Sequence, residues 1–305
     1  MIDLRRLQVL RAVERSGTVT AAAGSLHLTP SAVSQQVRQL GKELGVALLE
    51  PQGRRVRLTP AARSLLAHAD AIEERWREAE AELHEVGVDG PSGTLRLAGF
   101  ATAMCTLLSP TAARLRTTAP RLTVRMREAD PVASFDLVFA GEADIAVVEA
   151  TRDAPPLTDT RFDQRALLDD PFDLVVSVDH KLGSEPEASL PELAAERWIL
   201  GMPGSPCREH VLTACSRAGF TPDIAHQAQD WSVVGALVGD GHGIALVPRS
   251  VRLPGQEGIA RIGLAETPPA RRFLTVTARG AREHPAVQAA LTILDDLAEQ
   301  SAPLS

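Results

Sequence analysis

The chain has 305 residues, more than a single hydrophobic core usually organises, so two or more domains are expected. Its three cysteines are too few and too scattered for a disulfide framework, and no apolar run is long enough to span a bilayer. The N-terminal segment mixes Arg and Glu into a helical rhythm, unlike a secretory signal, so we expect a cytoplasmic protein with no membrane partner.

The net charge of −7 conceals a division along the chain. Residues 1–59 contain nine Lys and Arg against four Asp and Glu, a net charge of +5, so the remainder carries −12. A basic head on an acidic body suits a protein whose head binds a polyanion while its body is repelled by it. Chance clustering explains the charge division equally well, so the motifs have to decide.

Three helices are predicted at the N-terminus. Asp3 is expected to cap the first helix, which stops at a left-handed Gly17, and Thr20 is expected to cap a short Ala-rich second helix. A tight turn at residues 27–28 leads to Thr29 and Pro30. The threonine hydroxyl suits a cap and the proline ring suits the first helical position, so a third helix begins there.

The third helix has two different faces. At about 100° per residue, its apolar positions share one side. They are Val33, Val37, Leu40 and Leu44. The opposite side carries hydroxyl, amide and guanidinium groups, namely Ser31, Ser34, Gln35 and Arg38. Such groups suit hydrogen bonds to base edges and phosphates, although an ordinary polar surface is the alternative.

A β-hairpin with a basic tip is predicted after the third helix. A short apolar run, a Pro/Gly turn and an alternating run follow one another in LGVALLEPQGRRVRLTP. Arg54 and Arg55 lie at the tip, where they can contact a phosphate or enter a minor groove, as the wing of a winged helix does.

The stretch TAAAGSLHLTPSAVSQQVRQLGKELGVALLEPQGRRVRLTPA resembles, without a gap, the DNA-binding signature of LysR-type transcriptional regulators. The resemblance implies a winged helix-turn-helix with DNA contacts at Pro30, Ser31, Ser34, Gln35 and the two wing arginines. Two positions depart from the family pattern: Gly41, where Glu is usual, and Ala62, where Gly is usual. We expect Gly41 to loosen the end of the third helix by up to about 1 kcal/mol.

Residues 60–88 are expected to form a linker helix that begins at Thr59 and Pro60. Apolar residues recur alternately four and three apart, as in the seam of a coiled coil. They are Leu65, Ala69, Ile72, Trp76, Ala79, Leu83 and Val86. Charged flanks make the stripe narrow, which favours a homodimer over packing on the chain's own body. The family resemblance also implies dimers that often pair into tetramers. A dimer predicts an interrupted palindrome in double-stranded DNA.

From Thr94 onwards, short apolar runs alternate with helical segments, which predicts an α/β body with mainly parallel sheets. The runs are TLRLAGF, LTVRMREA, ADIAVVEA, FDLVVSV, RWILGM and GIALVPRS. This part resembles the LysR-type effector domain, which is itself similar to periplasmic binding proteins. The resemblance implies a small-molecule effector between two α/β subdomains. The expected domains are 1–59 (winged helix-turn-helix), 60–88 (linker and dimerisation helix) and 89–305 (effector binding), the last divided into subdomain I, about 91–165 with 266–305, and subdomain II, about 166–265.

The effector is expected near helix N-termini that follow strands, one at residues 101–103 and one at residues 203–207. Both favour an anionic group, so a small carboxylate or an amino-acid-like molecule is expected. The candidate effector residues are Thr102, Asp130, Gly204, Ser205, Cys207 and Asp230. The two aspartates match family positions near the cleft and would select an amino or hydroxyl group, but simple loop or cap carboxylates are the favoured interpretation.

Some cysteine, histidine and glycine patterns in the sequence are compatible with other functions. A thiol at Cys207, beside Arg208, is a candidate for a lowered pKa and for peroxide sensing with Cys215, although two small packed side chains fit better. Cys207 and His210 lack a second ligand pair, so no metal or cofactor is expected. GDGHG precedes a strand instead of joining a strand to a helix, and neither a Walker motif nor HExxH occurs, which argues against an enzyme. A solute-binding protein would leave the basic head without a use.

Overall fold

The computed structural model describes residues 4–26, 28–52, 55–66, 68–69, 90–253 and 256–301. The chain divides into an N-terminal unit and a C-terminal unit, the latter described by residues 90–278 and 285–301. Among the described residues, no helix is both long and apolar enough to cross a membrane.

The N-terminal unit begins with three helices, α1 (Leu4–Ser16), α2 (Val19–Ser25) and α3 (Pro30–Leu44). Their apolar faces form one core, because residues spaced by three and four share a side of each helix. Fully buried members include Leu10, Val13, Ala22, Val33 and Leu40.

The cap of the second helix lies two residues earlier than the sequence predicted. Gly17 has φ 63°, as predicted, and it turns the chain so that Thr18 is extended at φ −142° and ψ 146°. The Thr18 hydroxyl accepts a hydrogen bond from the amide of Ala21 at 3.1 Å. Thr18 is therefore the cap, and the prediction of Thr20 is wrong because Thr20 already lies inside the helix. Asp3 lies outside the described residues.

The start of α3 follows the predicted local signals, and its end is set by a glycine that the sequence analysis did not single out. The hydroxyl of Thr29 accepts from the amide of Ala32 at 3.2 Å, and Pro30 is the first helical residue. The helix ends at Gly45, which has φ 70°. Gly41 is buried, and a Cβ there would lie 2.7 Å from the carbonyl oxygen of Val46. This glycine therefore lets the chain pack closely against the helix, a role that the expected loosening did not include.

A hairpin and the start of a helix complete the described part of this unit. Strand β1 (Leu49–Gln52) pairs antiparallel with β2 (Arg55–Leu58). The hydroxyl of Thr59 accepts from the amide of Ala62 at 3.1 Å, and residues 60–66 are helical.

The predicted dimer seam is described at its first two positions. Ala69 is 3% exposed in the core of the N-terminal unit, and Leu65 is half-buried against the same core. Both pack within their own chain, and the dimer contact expected of them stays a prediction. Ile72, Trp76, Ala79, Leu83 and Val86 lie outside the described residues.

The C-terminal unit is built on a mixed sheet. Its strands are β3 (Gly93–Gly99), β4 (Leu122–Glu128), β5 (Ile145–Glu149), β6 (Phe162–Ser177), β7 (Glu187–Ala188), β10 (Ala245–Pro248), β11 (Ile259–Leu264) and β12 (Ala270–Ala278). The order is β4-β3-β5-β12-β6-β11-β7, and β10 also pairs with β6. Strand β3 is parallel to β4 and β5, whereas β12 and β6 run antiparallel to their neighbours within the sheet. The expectation of mainly parallel sheets is therefore wrong, because the two long strands cross the unit in opposite directions.

Helices cover both faces of the first half of this sheet. They are α4 (Ala101–Ala103), a contiguous π-helical segment (Met104–Leu108), α5 (Ser109–Thr118), α6 (Pro131–Phe139) and α9 (Pro285–Ser301). One core surrounds Leu97 and Leu294, and another surrounds Phe135 and Val276. We call this half, residues 90–168, 273–278 and 285–301, lobe I.

The other half, residues 172–253 and 256–264, is lobe II. Strand β8 (Arg197–Leu200) is parallel to β9 (Asp223–Gln227), and the helices are α7 (Pro206–Arg217) and α8 (Trp231–Gly239). Short 3-10 turns lie at Leu190–Leu193 and Gln256–Gly258. Trp198 and Phe172 are fully buried in one core, and Val238 and Val247 in another. Strand β6 and the residues leading into β12 connect the two lobes.

Candidate functional site

Helix α3 presents a polar face opposite its buried residues. Ser31, Gln35 and Arg38 are exposed, Ser34 is half-buried, and Pro30 is exposed at the start of the helix. The Arg38 Nε donates to the carbonyl oxygen of Ser34 at 3.2 Å, so the guanidinium lies along this face. The structure thus places five of the seven predicted DNA-binding residues on one end and one side of a single helix.

The single carboxylate of α3 is held by partners beside this face. Glu43 accepts hydrogen bonds from Gln39 at 2.9 Å and from Arg6 on α1 at 2.5 Å. The bond from Gln39 contributes most, and that from Arg6 next, to keeping the pKa of Glu43 below its usual range. Its negative charge is therefore directed at Arg6, which limits its repulsion of a phosphate near Arg38.

The hairpin is anchored next to the turn between α1 and α2. The amide of Val56 donates to the carbonyl oxygen of Gly17 at 3.2 Å, and the backbone of Arg55 pairs with Gln52 at the tip. Arg54 and the side chain of Arg55 lie outside the described residues. Arg57, which the sequence did not single out for a contact, forms an exposed ion pair with Glu50 at 3.6 Å.

The six predicted effector residues have different surroundings. Thr102 is 7% exposed inside α4, and Asp130 is exposed at the start of α6 without a capping bond from its side chain. Asp230 accepts from the amide and hydroxyl of Ser232 at 2.7 and 2.6 Å. These bonds lower the pKa of Asp230, so this carboxylate caps α8, which was the favoured interpretation.

The start of α7 agrees with the sequence in its local geometry. The hydroxyl of Ser205 accepts from the amide of Arg208 at 3.3 Å, and Pro206 is the first helical residue. Gly204 has φ 85°, a conformation that favours glycine. The predicted cap is confirmed.

The thiols of Cys207 and Cys215 both have raised pKa values, not lowered ones. Burial raises the pKa of Cys207 to about 11, although the Nη1 of Arg271 lies 3.9 Å from its sulfur and opposes that shift. Burial also raises the pKa of Cys215 to about 11 in the core of lobe II. The alternative of a lowered Cys207 pKa is wrong, and the favoured interpretation of two packed side chains is confirmed, because burial outweighs the helix terminus. Within the described ranges, no group of three or more His, Cys, Asp or Glu residues could hold a metal ion.

A buried charged cluster lies where β5, β6 and β12 meet. Arg271 donates from Nε to Asp170 at 2.9 Å, and its Nη1 lies 4.0 Å from Glu149. Rings of Phe100 and Phe273 flank the guanidinium, with centroids 5.4 and 4.9 Å from its carbon. The sequence analysis missed this cluster. Its one local signal was Glu149, a charged residue at the end of the otherwise apolar strand β5.

A cavity of about 840 Å³ opens beside this cluster, between lobes I and II. Its walls are residues 149–153 at the end of β5, one face of α7, and residues 264–270 before β12. Of the six predicted effector residues, Gly204 lines this cavity and the other five do not. The sequence predicted a site between two subdomains but not most of this lining, because the walls come from distant segments.

Two polar contacts link the lobes at the cavity. The Nε2 of His210 on α7 lies 3.1 Å from the Oε1 of Glu149, and Arg152 forms an ion pair with Glu209 at 3.0 Å. Glu149 is 4% exposed, whereas the Arg152–Glu209 pair is open to solvent. A molecule bound here would therefore contact both lobes.

A helix-turn-helix with a hairpin, followed by a two-lobed α/β unit with a cavity, defines the class of one-chain regulators that combine a DNA-binding head with a ligand-binding body. Two family models agree. "Bacterial regulatory helix-turn-helix protein, lysR family" matches residues 4–63, and "LysR substrate binding domain" matches residues 89–299. The chain belongs to the LysR family of transcriptional regulators.

Curated relatives match along nearly the whole chain. The RuBisCO operon transcriptional regulator of Allochromatium vinosum is 31% identical over 301 residues, covering 94% of each chain. The transcriptional dual regulator GltC of Bacillus subtilis is 26% identical over 250 residues, covering 82% of this chain and 81% of its own.

Solved structures share the fold. A full-length OxyR variant from Pseudomonas aeruginosa has a TM-score of 0.65 at 20% identity, covering 98% of this chain and 95% of its own. CbnR, in a complex with its target DNA, has a TM-score of 0.56 at 23% identity, covering 97% of this chain and all of its own.

Proposed function

We propose that this regulator reads double-stranded DNA with the exposed face of α3 and the tip of the hairpin. The observation that carries the proposal is the placement of Ser31, Gln35 and Arg38 opposite the buried Val33 and Val37. A hydroxyl, an amide and a guanidinium there match the donors and acceptors of the major groove. The proposed contacts are Pro30, Ser31, Ser34, Gln35, Arg38, Arg54 and Arg55.

We infer that two copies associate through the linker, residues 60–88, and that dimers pair into tetramers. The support is the four-three spacing from Ile72 to Val86, which continues beyond the two positions packed in the N-terminal unit. A dimer holds two α3 helices at a fixed separation, so the operator is an interrupted palindrome. Residues 1–59 then act as the DNA-binding domain and residues 89–305 as the effector-binding domain, with subdomains I and II as predicted.

The effector is a small molecule held between the two lobes, and its binding changes the affinity for DNA or the activation of transcription. The support is a cavity whose volume falls within the range of small-molecule sites. An anionic group of the effector would lie near Gly204 and Pro206 at the start of α7, where backbone amides favour it. The protein acts where its DNA lies, in the cytoplasm, as a regulator that needs neither catalysis nor a cofactor.

Footprinting of the chain's own upstream region tests the proposal. The full-length protein should protect two half-sites, and Gln35→Ala should weaken that protection. Gln39→Ala is the matched control, because Gln39 lies on the same helix but bonds to Glu43. Equal loss in both variants, or protection of any DNA sequence alike, would show that Gln35 does not read bases.

A further inference from the structure

The cavity between the lobes has an excess of negative charge. Its acids are Glu149, Asp153, Glu209 and Glu266, and its arginines are Arg152 and Arg217. Counted over these carboxylates and guanidinium groups alone, the lining carries a net charge of −2. An acidic cleft attracts cations more strongly than the same charges do on an open surface, because its low-dielectric walls focus the field.

Two of these acids already have protein partners. Glu209 pairs with Arg152 at the solvent-exposed side. Glu266 accepts from the hydroxyl of Ser189 at 2.6 Å and from the amide of Leu190 at 3.1 Å. The bond from Ser189 is the main cause of the lowered pKa of Glu266, so this side chain stays ionised and is held against lobe II.

Glu149 differs from these two acids because it is buried and because Arg271, the arginine nearest to it, also pairs with Asp170. Its Oε2 lies 4.0 Å from Arg271, but the Nε of Arg271 donates to Asp170 at 2.9 Å. Three residues that are each at most 4% exposed thus supply two carboxylates and one guanidinium. A buried carboxylate is costly unless it is well paired, and Arg271 bonds directly only to Asp170, so the polar partner nearest to Glu149 is His210, whose Nε2 lies 3.1 Å from Oε1.

We infer that the cavity binds a small ligand that presents a positively charged nitrogen, a primary amine or a guanidine, to Glu149. This inference names the ligand class of the effector site and so rests on the proposed function. The ligand nitrogen adds a directly bonded cation by donating to the Glu149 carboxylate, which Arg271 approaches only to 4.0 Å. Because Glu149 belongs to lobe I and its neighbour His210 to lobe II, a ligand at this point contacts both lobes.

The test uses four probes with the same four-carbon skeleton and the full-length protein. They are butane-1,4-diamine, 4-aminobutanoate, butane-1,4-diol and succinate, and their binding is measured by isothermal titration calorimetry. We expect both amines to bind at least about tenfold more tightly than the diol and succinate, a difference that corresponds to about 1.4 kcal/mol. Equal affinity across the set, tighter binding of succinate, or binding of neither amine overturns the inference.

Two variants locate the contact. Glu149→Gln keeps the shape of the side chain, removes its charge and should weaken both amines at least about tenfold, a factor equivalent to about 1.4 kcal/mol. Glu128→Gln, an exposed position on β4 outside the cavity, removes the same charge and should leave amine binding unchanged. If amines bind Glu149→Gln as well as the unaltered protein, the attraction is that of an acidic surface and the inference fails. The probe series in the unaltered protein decides the matter if Glu149→Gln does not fold.

The regulator function and the ligand class are tested by independent experiments. Footprinting without any ligand tests the regulator function, whereas calorimetry without any DNA tests the ligand class. A protein that protects its operator but binds no amine retains the proposed function and loses this inference.

Discussion

Arg271 donates from Nε to Asp170 across 2.9 Å, and both residues are 2% exposed. The two residues face each other on β12 and β6, the strands that join the lobes. Asp170 also accepts from the amide and hydroxyl of Ser250 at 2.9 and 2.6 Å. The next cross-strand pair, Arg272 and Asp169, has a similar bond of 2.8 Å but is more than half exposed.

Removing one partner of the buried pair should therefore destabilise the protein strongly. Arg271→Met leaves Asp170 and Glu149 without their shared cation, at an expected cost of about 3–5 kcal/mol in the free energy of unfolding. Urea denaturation of Arg271→Met and of the control Arg272→Met measures the loss of stability. Arg272→Met, one residue along the same strand, should have little effect because water already solvates that pair. A loss of similar size in both variants would contradict a special role for burial.

The thiols give a second prediction. Cys105 is exposed, whereas burial raises the pKa of Cys207 to about 11. Iodoacetamide at neutral pH should therefore label Cys105 first and Cys207 only after unfolding, as peptide mass spectrometry would reveal. Rapid labelling of Cys207 in the folded protein would show that its thiolate is stabilised after all.

The same shift has a consequence for stability. A raised pKa in the folded state means that the folded protein holds the proton more tightly than the unfolded chain does. The associated stability is complete below the ordinary thiol pKa and is lost as the pH rises from about 9 to 11. Thermal denaturation across that interval should show a smaller decrease for Cys207→Ala than for the unaltered protein. Parallel curves would exclude this thiol as a cause.

Local signals were enough to predict the start and the buried face of α3, and they were not enough to predict which residues line the cavity. Thr29, Pro30 and Gly45 bound that helix through contacts within a few residues, and its apolar period fixes the buried face. Arg271 and Asp170 are 101 residues apart, so no short window reveals that they neutralise each other. Their charges instead interrupt the apolar pattern of β6 and β12. This is part of the reason why the sequence did not predict these two strands in full.

Smaller errors have the same kind of cause. Thr18 and Thr20 are equally good caps by residue type, and the extended backbone after Gly17 decides between them. A lowered pKa for Cys207 stayed open as an alternative because the helix terminus is visible in the sequence whereas the side chains around the sulfur are not. Where a property depends on distant packing, residue type alone is a weak guide.

Two helical glycines provide a matched pair of substitutions. An added Cβ at Gly41 would lie 2.7 Å from the carbonyl oxygen of Val46, whereas one at Gly24 would meet nothing within 4 Å. Gly24→Ala should stabilise α2 by up to about 1 kcal/mol through its higher helix propensity. Gly41→Ala should instead lower the thermal midpoint, because the chain after α3 must move. Stabilisation by both substitutions would mean that the backbone around Val46 shifts without a loss of stability.

Arg38 is the cation best placed to bind DNA from α3, because it is exposed on the same face as Ser34 and Gln35. Arg38→Gln should weaken operator binding by about 1–3 kcal/mol and reduce the slope of log affinity against log salt by about one. Fluorescence anisotropy with a labelled operator, repeated over a range of salt concentrations, measures both quantities. Arg116→Gln removes the same charge from an exposed site on α5 in lobe I. If it weakened binding as much as Arg38→Gln does, net charge rather than the face of α3 would govern the interaction.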